Sequence, residues 1–248
     1  GFVPTVIQAE PEVEELWSFE CEDEIRGSPN ILNGSVFIGC YDNNLYSLDA
    51  KTGDFKWKYA TEGGIPTRPA VMDNTIYVGS EDFRLYAISG DKGELLWTYY
   101  TEGPIRSSPI ISEGHLFFGS DDANLHVVNM LSGNRAWKSD AAGSIRSTPL
   151  ISNDRVYCGC ETGDFYSVDF RGELKWRFKA KRAITSSPLL VDGLLYFGSL
   201  DWTLYALDAD GGWQIWRFRM GRPTISSPIF AEGKIYTGCA DGNIYAID

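Results

Sequence analysis

The sequence is poor in the groups that most enzymes use. It has 2 histidines in 248 residues. No HExxH, GxSxG, phosphate-binding loop or Cys/His cluster with metal-ligand spacing occurs in it. Basic charge is scarce too: 22 Lys and Arg against 34 Asp and Glu leave a net charge of −12, which argues against a nucleic-acid partner, since phosphate backbones are held by clustered cations. No apolar run approaches ~18 residues, so no helical membrane span is expected. No two of the 5 cysteines are adjacent, and their number is odd. Cys40, Cys160 and Cys239 occupy a place held elsewhere by Ser80, Ser120 and Ser199, and Cys158 lies two residues from Cys160. Free thiols follow from this pattern, and with them a reducing, cytoplasmic compartment. The pairs Ser107-Ser108, Ser186-Ser187 and Ser226-Ser227 lack a nearby His in their units, which makes them poor nucleophiles. His115 stands beside a turn and His126 replaces a repeated Tyr, so both read as surface or packing residues.

What the sequence does have is a repeat. Trp17, Trp57, Trp97, Trp137, Trp176 and Trp216 are spaced at 40, 40, 40, 39 and 40 residues, a period typical of propellers and arrays. The short interval reflects Asp169-Phe170-Arg171-Gly172, which is one residue shorter than Asp49 to Gly53. Each unit reads as four short strands. The first begins at a Pro (Pro29, Pro69, Pro109, Pro149, Pro188, Pro228), which is tolerated at the first residue of a strand, where no ladder donor is needed. A two-residue turn such as Asn33-Gly34 or Glu113-Gly114 comes next, of a type that accepts positive φ. The second strand ends at a Gly, the third carries a pair such as Leu45-Tyr46, and the fourth carries the Trp.

Residues 1–14 match no unit and read as a tail or linker, leaving 15–248 as one domain. The chain stops at Ala246-Ile247-Asp248, the start of the motif that would end in a Trp, while Glu15–Glu20 carries Trp17 without the strands that should precede it. Complementary ends favour a ring over an open stack, because an open array needs polar caps. The expectation is therefore an all-β, six-bladed β-propeller of four-stranded antiparallel blades, closed by the N-terminal strand completing the last blade. The Trp set is structural in this reading, docking one blade on the next.

Ala206-Leu207-Asp208 through Gly212 to Trp216, with its copies, resembles the tryptophan-docking repeat of the pyrroloquinoline-quinone (PQQ) propeller family. Its members include quinoprotein alcohol dehydrogenases, the propeller lipoprotein of the outer-membrane barrel assembly machinery, and sensor domains of bacterial kinases. The resemblance spans residues 15–248 and implies an extracytoplasmic protein, against the compartment that the unpaired thiols favour. The dehydrogenases use adjacent cysteines, a Trp beneath the quinone, a calcium site, a catalytic Asp and long insertions between blades. This chain has no adjacent cysteines, and forty residues per blade leave no room for insertions.

Two sets of loops share one face of such a propeller. Those leading into the first strands hold Arg26, Arg106 and Arg146, with Arg68 two positions further on in its unit, and those joining second to third strands hold Asp42, Asp82, Asp122, Asp201 and Asp241. The Asp residues suit turn N–H groups; the arginines suit either those carboxylates or an anion at the channel mouth. Tyr41, Phe83 and Trp202 break the repeat on the same face and form a candidate partner surface. Glu22, Asp23, Glu24, Glu62, Glu102 and Asp140 lie on one arc, and Lys179, Lys181, Arg182 and Arg222 on the other, an asymmetry that orients a charged partner. The reading is a monomeric, non-catalytic scaffold or sensor domain that binds a protein, a peptide or a small polar ligand, with no cofactor and no metal. The alternative is a PQQ- and calcium-dependent sugar or alcohol oxidoreductase.

Overall fold

In a computed structural model, which describes residues 14–248, every regular element is a strand. The strands form six antiparallel sheets, spanning 30–60, 70–100, 110–140, 150–179, 189–219 and 229–247, here sheets one to six. Sheets one to five have four strands in sequential order, and sheet six has three. The tail expected over residues 1–14 lies outside the described residues except for Glu14.

Sheet three shows how the sequence dictates the unit. Pro109 precedes a three-residue strand, Ile110–Ser112, and Glu113 and Gly114 turn the chain at φ +46° and +72°. Such a turn matches the right-handed twist of the strands it joins. His115–Gly119 then pairs back onto the first strand and onward to Asn124–Asn129, and Arg135–Asp140 closes the sheet from outside. The register between the last two strands slips at Val127/Val128, next to the Val127↔Trp137 pair, and the same slip recurs beside Trp57, Trp97, Trp176 and Trp216. A bulge of this kind bends and twists the outer strand locally.

Apolar side chains are buried between sheets rather than within one central core. Five clusters join the consecutive pairs, for example Phe117, Leu125 and Val127 of sheet three with Val156, Cys158 and Val168 of sheet four. The Trp side chains are the outer wedges of these joints. Trp57, Trp97 and Trp176 each lie under the turn glycine of the following sheet, Gly93, Gly133 and Gly212, and donate the indole N–H to the carbonyls of Gly90, Met130 and Ala209 at 2.9, 3.2 and 3.0 Å. Trp137 lies under Gly172 in the same way.

The first strands converge. Asn30, Val71, Ile110 and Ile229 from the first strands of sheets one, two, three and six, with Thr148 and Ser187 from the segments leading into sheets four and five, line a single cavity of about 860 Å³. Hydrogen bonds step around it from sheet to sheet: Asn30 Nδ2 to Pro69 O, Arg68 N to Ser108 Oγ, Ser107 Oγ to Ser147 O, Thr148 N to Ser187 Oγ, and Ser187 N to Ser227 Oγ. The repeated serine pairs thus cross-link neighbouring sheets.

The N-terminal segment departs from expectation. Glu15–Glu20 forms no strand and, among the described residues, makes no ladder with Ile244–Ile247, so it does not supply the fourth strand of sheet six. Its contacts explain where it goes. Trp17 lies under Gly53 and donates to Ala50 O at 3.3 Å, and Phe19 packs 5.5 Å from Tyr46 and 6.5 Å from Phe55, all in sheet one. Trp57, Trp97, Trp137 and Trp176 each serve the sheet that follows them in sequence, and Trp17 does the same. Sheet six correspondingly leaves Ile229, Phe230 and Ile244 exposed.

Candidate functional site

The loops between second and third strands are built on one aspartate. Asp82 Oδ1 accepts Arg84 N at 3.1 Å, while its Oδ2 accepts Glu62 N from the preceding sheet at 2.9 Å and the Tyr86 hydroxyl at 2.6 Å. Asp42 and Asp241 repeat this set with Tyr46 and Tyr245. At Asp122 a buried His126 replaces the Tyr, with Nε2 3.0 Å from Oδ2 and Nδ1 3.0 Å from the Tyr99 hydroxyl. Sheet four has Thr162 at this place, and there Ala142 N donates to the Tyr166 hydroxyl at 2.8 Å. These carboxylates act as acceptors and tie neighbouring sheets together.

Burial alone would raise the carboxyl of Asp122, but His126 and the turn N–H groups outweigh it and hold it well below the usual range. Asp42 is also held down, against its burial, by Tyr46 and Asn44, and Asp241 is brought to about 2, chiefly by the Tyr245 hydroxyl. A carboxyl depressed in the folded state stabilises fully above its unfolded value, about 3.9, and loses that contribution as pH falls through the folded one. The melting temperature is therefore expected to hold down to about pH 4 and then fall steeply toward pH 2. A calorimetric series that stays flat to pH 2 would contradict this.

The predicted arginines separate into two groups. Arg106 is held between Glu81, at 2.8 Å, and Asp121; Arg146 is held between Asp121, at 2.9 Å, and Glu161, at 3.3 Å. Asp121, one-tenth exposed, sits between two guanidinium groups, so the chain itself supplies the anion expected there. Arg26 pairs with Glu24 at 2.7 Å and lies 4.6 Å over the Tyr41 ring. Arg68 lines the central cavity and, among the described residues, has no carboxylate within ion-pair range.

The three aromatics are not equivalent. Tyr41 is half-buried against Gly64, with its hydroxyl 3.4 Å from Glu81. Phe83 and Trp202 occupy the same repeat position in sheets two and five, at φ +72° and +75°, and remain 43 % and 38 % exposed. The corresponding residues elsewhere are Asn43, Ala123, Gly163 and Gly242. The acidic arc residues Glu22, Asp23, Glu24, Glu62, Glu102 and Asp140 are all exposed. On the other arc, Lys179 is paired with Asp164 at 2.8 Å, whereas Lys181, Arg182 and Arg222 have no ion pair among the described residues.

Cys21, Cys40 and Asp42 bring their ligand atoms within 4.8 Å of one another, a grouping the sequence reading did not make. Burial pushes the Cys21 thiol up to about 12, and both oxygens of Asp42 already accept hydrogen bonds. A metal there would have to deprotonate a disfavoured thiol and strip a structural carboxylate. All 5 cysteines are free thiols.

The family model that matches this chain is described as outer membrane protein assembly factor BamB; it matches residues 4–67, 61–177 and 166–248. Among solved structures, BamB from Moraxella catarrhalis superposes with a TM-score of 0.84 at 19% identity, over 94% of this chain and 76% of that one. The computationally designed protein Ika8 superposes at 0.80 with 17% identity, over 90% of this chain and 70% of that one. No curated protein matches. The residues lining the central cavity do not suit the quinone and calcium of the dehydrogenase alternative, because none is a carboxylate or a cysteine. Among the described residues no helix is long and apolar enough to cross a membrane.

Proposed function

Since this chain belongs to the PQQ-like repeat family described as outer membrane protein assembly factor BamB, we propose that it is an extracytoplasmic scaffold that binds a protein partner. In this reading the six sheets are the blades of one propeller around the central cavity, and the chain performs no chemistry of its own. The binding residues are Phe83 and Trp202.

The observation that carries this is the backbone beneath those two side chains. A left-handed conformation costs a non-Gly residue about 1–2 kcal/mol, and Gly163 and Gly242 avoid that cost at the same repeat position. Burial offsets it only in part, since the two residues remain 43% and 38% exposed. Large apolar side chains kept in a strained, exposed turn serve contact with something outside the fold. Two sheets separate them, so they grip a partner at two points of the rim, with the Arg106–Asp121–Arg146 line between them fixing the shape of the mouth.

Capture of protein partners from extracts of the native cell is expected to disappear in a Phe83→Gly, Trp202→Gly double variant. Its melting temperature should be unchanged or slightly higher, because Gly relieves the strained turn. Undiminished capture by a folded double variant would remove both residues from the interface.

A further inference from the structure

Two positions of the repeat face one another where a fourth strand runs out beside the end of the next sheet's second strand. Between sheets one and two they hold Thr61 and Ser80, whose hydroxyls both donate to Gly63 O, at 2.7 and 3.0 Å. Between sheets two and three they hold Thr101 and Ser120, which share Gly103 O at 2.8 and 3.1 Å. The later joints have Ala141 with Cys160, Ala180 with Ser199 and Met220 with Cys239. Only before sheet one are both positions cysteine, Cys21 and Cys40. Their sulfurs lie within 4.8 Å of each other, and Cys21 packs with Phe19 on a buried cluster of Ile38, Cys40 and Tyr46.

The backbone on both sides of this pair is already fixed. Glu22 N donates to Asp42 Oδ2 at 3.2 Å, Tyr41 N to Glu24 O at 3.0 Å, and the Cys40 thiol to Asp23 O at 3.2 Å. What Cys21 lacks is a tether to a sheet of its own. In the later copies the residue at this position donates its backbone N–H to a left-handed turn residue of its own sheet: Thr61 to Asn43 O, Thr101 to Phe83 O, Ala141 to Ala123 O, Ala180 to Gly163 O and Met220 to Trp202 O, all at 2.8 or 2.9 Å. Among the described residues Cys21 N has no such acceptor, because the segment that carries it joins no sheet.

We propose that Cys21 and Cys40 form a disulfide that fastens the N-terminal segment to sheet one, a covalent bond in place of the ladder that the segment lacks. The proposal rests on the extracytoplasmic reading for its oxidant, a small-molecule or protein disulfide of the kind such compartments maintain. Cys21, the half-buried thiol, loses its proton and attacks one sulfur of that disulfide, releasing the other as a thiolate. Cys40 then loses its proton and attacks Cys21 Sγ, displacing the second thiolate from the mixed disulfide. The two electrons reduce the incoming disulfide to two thiols, which carry away both protons. With the backbone held, the sulfurs reach the ~2.05 Å of an S–S bond by rotation about the side-chain bonds. Burial pushes both thiols up, that of Cys21 to about 12, so no thiolate stabilises the reduced pair, and the bridge is of the structural kind that resists exchange. Cys160 and Cys239, which have Ala141 and Met220 opposite, remain thiols.

The test is equilibration of the whole chain in glutathione at an oxidising ratio, followed by denaturation, alkylation and peptide mapping. A peptide linked through Cys21 and Cys40 is expected, with Cys158, Cys160 and Cys239 alkylated. The oxidised chain should melt about 4–16 °C above the reduced one, as a bridge closing a loop of roughly twenty residues implies. Cys21→Thr and Cys40→Ser each place the residue that the next joint carries, at Thr61 and Ser80, so the fold is kept; in either variant the difference between oxidised and reduced melting temperatures should vanish. No linked peptide, glutathione attached to Cys21 alone, or a difference that survives in Cys21→Thr would overturn the assignment. Because the glutathione is supplied to the purified chain, the outcome depends neither on the compartment nor on Phe83 and Trp202, and failure of the bridge is distinct from failure of the scaffold reading.

Discussion

Replacing Trp97 with Ala is expected to cost about 3–5 kcal/mol, a fall in melting temperature of roughly 6–20 °C, whereas Trp216→Ala should cost less than half as much. The two residues occupy the same place in their units and differ only in what lies beyond them. Trp97 is roofed by Gly133, where an added Cβ would come within 2.6 Å of the indole, and its N–H reaches Met130 O at 3.2 Å. On its inner side it meets Tyr77 at 5.8 Å. Burying an indole removes ~150–250 Å² from water, which at ~25 cal/mol/Å² gives ~4–6 kcal/mol as an upper estimate. Trp216 keeps its inner contact, Tyr196 at 5.6 Å, but among the described residues no turn glycine covers it and its N–H has no acceptor. Trp137 should fall between them: Gly172 covers it, but its N–H is not paired among the described hydrogen bonds, because the turn at Asp169 to Gly172 is one residue short. Calorimetric unfolding of the three variants gives the order directly. Equal losses at Trp97 and Trp216 would show that the indoles stabilise their own sheets and not the joints.

That order bears on what the sequence could and could not reveal. The forty-residue period and the turn residues fix the unit because both are local: the turn adopts positive φ at both positions in five units, as at Asp192-Gly193, and at Asn153 alone in the other. The repeated Asp was legible for the same reason, as its partners lie two and four residues on or twenty residues back. The destination of the N-terminal segment was not. Trp17 beneath Gly53 and Phe19 on Tyr46 follow the repeat, whereas a ladder between Glu15–Glu20 and Ile244–Ile247 depends on how closely the first and last units approach, which no local pattern sets. Tyr41 was grouped with Phe83 and Trp202 by chain proximity to one rim, whereas its repeat position differs from theirs and its ring packs on Gly64.

A single methyl group added at Gly119 is expected to destabilise by about 2–3 kcal/mol, near the top of what overpacking costs. Gly119 ends the second strand of sheet three, and a Cβ built there overlaps the Ile145 side chain and comes within 2.5 Å of the Ile145 carbonyl oxygen. That oxygen is backbone at the start of the next unit and cannot swing aside, and Ile145 is 1% exposed with no free volume to retreat into. The same knob-and-hole pair recurs as Ile65 on Gly39, Ile105 on Gly79 and Ile184 on Gly159. Sheet six supplies the internal control. At Gly238 the nearest atom to an added Cβ is Ser226 Oγ at 3.4 Å, an ordinary contact, so Gly238→Ala should change stability by no more than about 0.5 kcal/mol. Chemical denaturation of Gly119→Ala and Gly238→Ala side by side measures the difference. Tolerance of alanine at Gly119 would mean that the joint between sheets three and four relaxes freely, and the rigid rim on which Phe83 and Trp202 are held apart would lose its physical basis.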